Sequence, residues 1–346
     1  MRRKNGKSLL TKIAREAGVS VMTVSRVMRG YVPKYRPAQE RARRVLAVAA
    51  RYNYRPSAAA RAMATGRYRA ASLLLPGGPG THTVLFAGLL DGIHDRLAEA
   101  DYHLNIARLP EDAALTRAGR LPKILRETLS DGLLINYARG LQAEAFESIC
   151  RLRAPLIWIN YGLPTDSADL DDLGGARRAT ERLIARGHRR IAYAQHMPST
   201  HYSATERAEG YASAMRGARL PPVVWPGSET MALTLQEDRC VEWLRSPGRP
   251  TAVLCYSRQA ALIVVAAARA AELSVPGDLA VVQFGEHDPA VAALGIVTVE
   301  LPWYELGKNA AAMLLEKIAH PQRPLARRMA PLVQPPDDAL APPAAE

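Results

Sequence analysis

The chain has 346 residues, 48% of them hydrophobic, with 24 glycines, 25 prolines and a formal net charge of +13. Such a length exceeds one typical domain and can bury a large core, and the composition excludes collagen-like, disordered and disulfide-stapled classes. No window is apolar for long enough to cross a bilayer, and the basic start "MRRKNGKS" is not followed by an apolar signal core, so a cytoplasmic location is expected.

The positive charge is concentrated at the N-terminus. Up to Arg69 the chain carries 18 Lys and Arg against two acids, Glu16 and Glu40, a net +16; the remainder carries 28 bases and 31 acids. A solvated basic tail lacks periodic apolar positions, whereas this segment has them, so it reads as a folded head that binds a polyanion. Ser8 is the expected N-cap of a first helix with Leu10, Ile13, Ala14 and Ala17 on one face, stopped at Gly18. Ser20 caps a second helix, and Pro37 opens a third with Ala42, Val45, Leu46 and Ala49 as its apolar stripe. A short turn between two amphipathic helices is the helix-turn-helix signal.

The second helix has two unlike sides. Val24, Val27 and Met28 form one; Met22, Arg26 and Arg29 fall within about 60° of each other on the other. Any small helical bundle would show apolar stripes, but it would leave the second side and the charge unexplained, so that side is expected to enter a DNA major groove. Arg26 can fork two hydrogen bonds to a guanine edge, while Val21 and Met22 offer apolar contacts, for instance to a thymine methyl. The Ser20, Thr23 and Ser25 hydroxyls are expected on phosphates, as is Arg29.

The run "LLTKIAREAGVSVMTVSRVMRG" followed by "YNYRPSAAARAMATGR" resembles the N-terminus of the LacI family of bacterial transcriptional regulators. The V-S-x-x-T-V-S-R motif is met by Val19, Ser20, Thr23, Val24, Ser25 and Arg26, and "LIARGHRRIAYA", "ERAEGYASAM" and "SVPGDLAVVQF" follow in the family's order. The resemblance implies a helix-turn-helix domain over 1–52, a hinge over 53–69 and an effector-binding, dimerising core over 70–346. The hinge segment "PSAAARAMATG", with Ser57 as its cap, is too short to be a stable isolated helix and should order only against a surface. In the family, paired hinge helices enter the minor groove and a leucine wedges a base step apart; Met63 stands at that leucine's place and can serve as the wedge. The DNA-facing set is thus Ser20, Val21, Met22, Thr23, Ser25, Arg26, Arg29, Asn53, Ala60 and Met63.

From Ala70 onward short apolar runs alternate with helical stretches. "ASLLL", "HLNIA", "GLLIN", "PLIWIN", "RIAYA", "TAVLC" and "LAVVQF" read as buried parallel strands, with helices at 175–186, 205–216 and 259–273 between them. The fold class is therefore an all-α helix-turn-helix head plus a doubly wound α/β core. The resemblance adds two lobes like a periplasmic sugar-binding protein, with chain crossings near 160–172, near 284–297 and before the C-terminus, and a ligand in the crevice at the strand ends.

An enzyme fused to a DNA-binding head is one alternative, and a ligand receptor without regulatory coupling is another. The first lacks GxxxxGK[ST], GxSxG and HExxH, and "PGGPG" at 76–80 has no Lys. The basic head speaks against the second. Asp169 to Asp172 suggest a solvated loop before a helix more than a metal site; His188, His196 and His201 have no ligand spacing. Cys150, Cys240 and Cys255 lack CxxC spacing and read as buried thiols. No cofactor or metal is expected.

The expected effector set is Asn160, Arg207, Ser257, Arg258 and Glu286. Arg207, three residues before Gly210, matches the family arginine that grips a ligand oxygen. Where sugar-binding members have Asn-Asp, this chain has Ser257-Arg258; where they have Phe-Asp-Asp, it has Phe284-Gly285-Glu286. Losing a carboxylate at Gly285 and gaining a cation at Arg258 favours an anionic effector such as a sugar acid. Arg258 is equally readable as a residue that caps its helix or faces solvent. "MTVSR" and "FGEHD" are also similar to the branch of gluconate-utilisation repressors. The tail "PLVQPPDDALAPPAAE" is too broken by proline to form a heptad helix, so a dimer is expected.

Overall fold

The computed structural model describes residues 5–31, 33–77, 85–109, 125, 127–136, 143–195, 199–226 and 233–340. The chain divides into two compact units, Met1–Arg69 and Ala70–Glu346.

In the first unit, helices α1 (Asn5–Ala17), α2 (Val21–Met28) and α3 (Arg36–Arg51) enclose a core of Ile13, Val24 and Val45, each fully buried, with Ala14, Ala17, Val27, Ala42, Val48 and Ala49. Gly18 takes φ +64° in the turn, a conformation that costs glycine little. Ser20 caps α2, accepting a hydrogen bond from the Thr23 backbone N–H at 3.1 Å. Pro37 sits in the first turn of α3, whose N-cap is Tyr35. Two expectations are corrected. The first helix starts at Asn5, so Ser8 lies inside it; and Leu46 is half exposed because Val48, not Leu46, points into the core. Helix α4 (Ala58–Thr65) is formed as read, capped by Ser57 through Ala60 N–H and ended by Gly66 at φ +68°.

Among the described residues the strands of the second unit are β1 (Ala70–Pro76), β2 (His103–Leu109), β3 (Gly132–Asn136), β4 (Leu156–Ile159), β5 (Ser167–Asp171), β6 (Ile191–Gln195), β7 (Val223–Pro226), β8 (Ala252–Cys255), β9 (Ala280–Gly285), β10 (Ile296–Glu300) and β11 (Arg328–Pro331). They form two parallel sheets, ordered β11-β5-β4-β3-β1-β2 and β10-β9-β8-β6-β7. Each strand pairs in parallel with its neighbours, as with Leu73 opposite Ile106 and Leu134. The helices are α5 (Ala87–Ala98), α6 (Ala143–Cys150), α7 (Asp172–Ala185), α8 (Tyr202–Gly217), α9 (Leu233–Arg245), α10 (Arg258–Ala270), α11 (Pro289–Ala292) and α12 (Trp303–Ala319).

The doubly wound class is as read, but the strand list is incomplete. β5, β7, β10 and β11 were not anticipated, and "HLNIA" forms the edge strand β2, exposed along most of its length rather than buried. "DLDD" is not a solvated loop: Asp169 lies in β5 and Asp172 opens α7, and both are fully buried. Cys240 and Cys255 are buried, but Cys150, at the end of α6, is exposed.

The chain leaves the first sheet at Asp171–Asp172 and returns at Leu301–Pro302, because β9 and β10 both belong to the second sheet and α12 packs on β4, β5 and α5. The return therefore lies beyond the expected 284–297. After β11 the chain passes back: Glu300 and Val333 exchange two backbone hydrogen bonds, at 2.9 and 3.0 Å, and the Leu340 C=O accepts from Arg186, the C-cap of α7. Small residues bring the helices close. A Cβ at Gly210 would strike the Leu173 C=O, so α8 lies hard against the start of α7, and this sets Arg207 beside Asp172.

Candidate functional site

On α2, Met22 is 78% exposed and Val21 42%, while Val24 and Val27 are buried, so the helix offers the expected face. Arg26 is exposed on that face. Arg29 departs from it: α2 ends at Met28, and Arg29 is the C-cap residue, its Nε donating to the Ser25 C=O at 3.0 Å. The Ser20 hydroxyl is occupied by capping and lies 2.9 Å from the Thr23 hydroxyl; Ser25 is half-buried. Asn53 is exposed at φ +46° and leads into Tyr54, which packs on the head core. Ala60 is exposed on α4, and Met63 is 88% exposed. Tyr31, Tyr35 and Arg41 share a depression with Met22 and Arg26 and were missed, although two aromatic residues among so many bases were a visible signal.

In the second unit a cleft of about 620 Å³ opens at the carboxyl ends of β4, β8 and β9. Asn160, Arg207, Ser257, Arg258 and Glu286 all line it. Arg207 is 6% exposed, donates from Nε to Asp172 Oδ1 at 2.7 Å and from Nη1 to the Tyr256 C=O at 2.9 Å. Its Cζ lies 4.6 Å from the centre of the Phe284 ring. Nη2 has no hydrogen-bond partner among the described residues, and is the donor left for a ligand. Arg258 is the first residue of α10, after the cap Ser257, and its Nη1 sits 3.2 Å from Asp288 Oδ2. The cation is thus at the cleft but already paired.

Residues that no motif marked complete the cleft. Phe86 and Trp303 stack with centroids 3.9 Å apart and planes within 8°. His201 faces the Asn160 C=O through Nε2 at 2.8 Å. A carbonyl only accepts, so Nε2 carries the proton and Nδ1 accepts from the Ser203 hydroxyl at 2.8 Å. Tyr256 OH completes the chain, 3.0 Å from Ser203 Oγ. Burial holds the His201 pKa below the ordinary histidine value, although the Asn160 carbonyl opposes this. Asn160 Oδ1 accepts from Tyr202 OH at 2.8 Å. Behind it Arg327 donates to Asp169 Oδ2 at 2.7 Å and to Glu206 Oε1 at 3.1 Å, which ties the β5 side of the cleft to α8. Among the described residues no group of three His, Cys, Asp or Glu could hold a metal ion, and no helix is long and apolar enough to cross a membrane.

Residues 180–334 match the periplasmic binding protein-like domain, and residues 10–57 match the bacterial regulatory proteins of the lacI family. The chain thus joins a head that matches the lacI family to a core that matches the periplasmic binding protein-like domain, the fold of a LacI-type regulator. It is a DNA-binding transcriptional regulator with a small-molecule effector, and its relatives are regulators rather than enzymes. It is 28% identical to the arabinose metabolism transcriptional repressor of Geobacillus stearothermophilus over 249 residues, covering 68% of this chain and 67% of that one. It is 26% identical to the HTH-type transcriptional repressor PurR of Vibrio atlanticus over 316 residues, covering 88% and 90%. In fold it is similar to the lac repressor dimer bound to operator and the anti-inducer ONPF, with TM-score 0.70 and 22% identity over 96% of this chain and 98% of that one.

Proposed function

We propose that this regulator is a cytoplasmic homodimeric repressor whose heads and hinge helices hold a pseudo-palindromic operator, and whose cleft takes a sugar acid of the gluconate type that controls release. In this reading 1–52 is the DNA-binding domain, 53–69 the hinge and 70–346 the effector-binding and dimerising core. Arg26 reads a base, Val21 and Met22 tune preference, and Ser20, Thr23, Ser25 and Arg29 meet phosphates. Asn53 and Ala60 flank the minor-groove entry, and Met63 is the wedge. The repressor names of its relatives, and the dimer on operator seen for the lac repressor, support the assembly.

The observation that carries the effector reading is the unpartnered Nη2 of Arg207 beside the Phe86/Trp303 stack. An apolar ring face suits the carbon face of a sugar, and a guanidinium edge suits a carboxylate. Arg258 adds a second cation at the cleft, with Ser257, Asn160 and Glu286 as partners for hydroxyls. A ligand with different affinity for two lobe arrangements respaces the two chain exits at 66–67, and a marginal hinge helix then loses its partner.

The test is to titrate gluconate, 2-ketogluconate and the matching neutral sugars into wild type, Arg207→Ala and Arg258→Ala while following operator binding. Acids are expected to shift DNA affinity, and both variants to weaken that response. A response to neutral sugars alone, or an acid response unchanged in Arg258→Ala, overturns the anionic reading.

A further inference from the structure

We infer that Tyr31 is a positioning residue for Arg26 and thereby a determinant of operator specificity, an inference that rests on Arg26 being the base-reading side chain.

The placement follows from how α2 ends. Its C-cap is Arg29, and Gly30 follows in the left-handed region at φ +85°. The Gly30 N–H donates to the Val27 C=O at 2.9 Å and the Tyr31 N–H to the Arg26 C=O at 3.3 Å. These are the two bonds of the Schellman motif, which folds the residue after the glycine back against the last turn of the helix. An apolar contact usually accompanies that motif; here the contact is aromatic to cationic. The Arg26 Cζ lies 3.8 Å from the centre of the Tyr31 ring.

A guanidinium is flat and its donors point outward in its plane, so a ring on its face restrains the side chain and leaves the fork free for O6 and N7 of a guanine. The neighbouring bases are held differently. Arg29 gives a donor to the Ser25 C=O, Arg41 gives one to Tyr35 OH at 3.4 Å, and Arg51 gives one to Glu16. Arg26 has no ion pair or side-chain hydrogen bond among the described residues. The ring stands in one depression with Ser20, Met22, Thr23 and Arg26, on the face offered to DNA. An unrestrained arginine reaches a phosphate as readily as a base edge, whereas a stacked one is aimed before DNA arrives.

The experiment uses the full chain and duplexes that the wild type selects from a pool of randomised DNA. Tyr31→Ala is expected to weaken binding to the selected duplex about two- to fivefold, the scale of an exposed cation–π contact. It should also flatten preference at the base pair whose preference Arg26→Ala abolishes. Tyr31→Phe should keep both, because the ring and not the hydroxyl makes the contact. In an Arg26→Ala background Tyr31→Ala should add nothing. Tyr31 is 41% exposed, so thermal melting should not move and the loss cannot be assigned to unfolding. Equal weakening on selected and random duplexes, or a loss that adds in full to that of Arg26→Ala, overturns the inference. If Arg26→Ala changes preference and Tyr31→Ala does not, the reading of Arg26 stands and this inference falls; if Arg26→Ala changes no preference, both fall.

Discussion

Arg207 on α8 and Asp172 at the start of α7 form a buried ion pair, Nε to Oδ1 at 2.7 Å, with side chains 7% and 0% exposed. It sits at the point where the chain enters the second sheet's lobe and fixes the floor of the cleft. Removing one partner leaves a buried charge unpaired, so Asp172→Ala is expected to lose about 3–5 kcal/mol in urea unfolding. The apolar pair Arg207→Met with Asp172→Leu should recover most of that stability and still show no response to effector. A loss below about 1 kcal/mol for Asp172→Ala would mean that water or a rearranged partner reaches the guanidinium.

The hinge helix has one cap at each end and one bare large apolar side chain, Met63. Ser57→Ala removes the acceptor of the Ala60 N–H and should weaken operator binding about fivefold, the equivalent of about 1 kcal/mol of helix stability. Met63→Ala should leave thermal melting unchanged, since that side chain is 88% exposed, and should weaken operator binding, while Met63→Leu keeps it. Undiminished operator affinity in Met63→Ala would remove the wedge.

What the sequence displayed was what short-range physics decides. The Ser20 cap, the stop at Gly18, the hinge between Ser57 and Gly66 and the runs that form β1, β3, β4, β6, β8 and β9 all rest on signals within a few residues. Periodicity located a core face on α3 but could not choose Val48 over Leu46. "DLDD" reads as a loop because its two buried carboxylates are matched at a distance: Asp172 by Arg207, 35 positions away, and Asp169 by Arg327, 158 positions away. The Phe86/Trp303 stack and the placement of His201 are likewise products of the fold, so no local pattern announced the cleft's aromatic wall.

Arg29 gives a contrast with Arg26. Because its Nε is held by the Ser25 C=O just past the end of α2, it is expected to meet the phosphate backbone through its remaining donors. Arg29→Ala should weaken operator and random duplexes by similar factors and lower the slope of log affinity against log salt by about 1. A change in base preference without a change in salt slope would put Arg29 among the base readers.

His201 predicts a pH dependence with a definite sign. Burial lowers its pKa in the fold below the ordinary value of 6.5, so in acid the unfolded chain binds the proton first. The stabilisation by neutral His201 is fully present above that ordinary value and is lost as pH falls through it toward the folded pKa. Protonation also puts a hydrogen on Nδ1, where the Ser203 hydroxyl now donates, and disturbs the chain to Tyr256. Effector affinity should therefore fall as pH drops through the folded pKa of His201, which lies below the ordinary value, and His201→Gln should flatten that fall. An unchanged profile in the variant would assign the dependence to another group.

The C-terminal segment separates folding from assembly. Leu332 and Leu340 are 4% and 1% exposed, Val333 exchanges two backbone hydrogen bonds with Glu300, and Arg186 donates to the Leu340 C=O. Truncation after Ala330 removes all of these, exposes apolar surface in the core and frees the passage between the sheets; it should give an unfolded or aggregated chain. Truncation after Leu340 removes none of them and should melt like wild type. No α-helix occurs between residues 328 and 340, where proline recurs at 331, 335 and 336, so the segment cannot supply a heptad seam. Sedimentation equilibrium of the chain ending at Leu340 should therefore report the same dimer as the full chain. A tetramer that survives this truncation would place a second interface on the folded core, and a monomer would place the dimer contact in the last six residues.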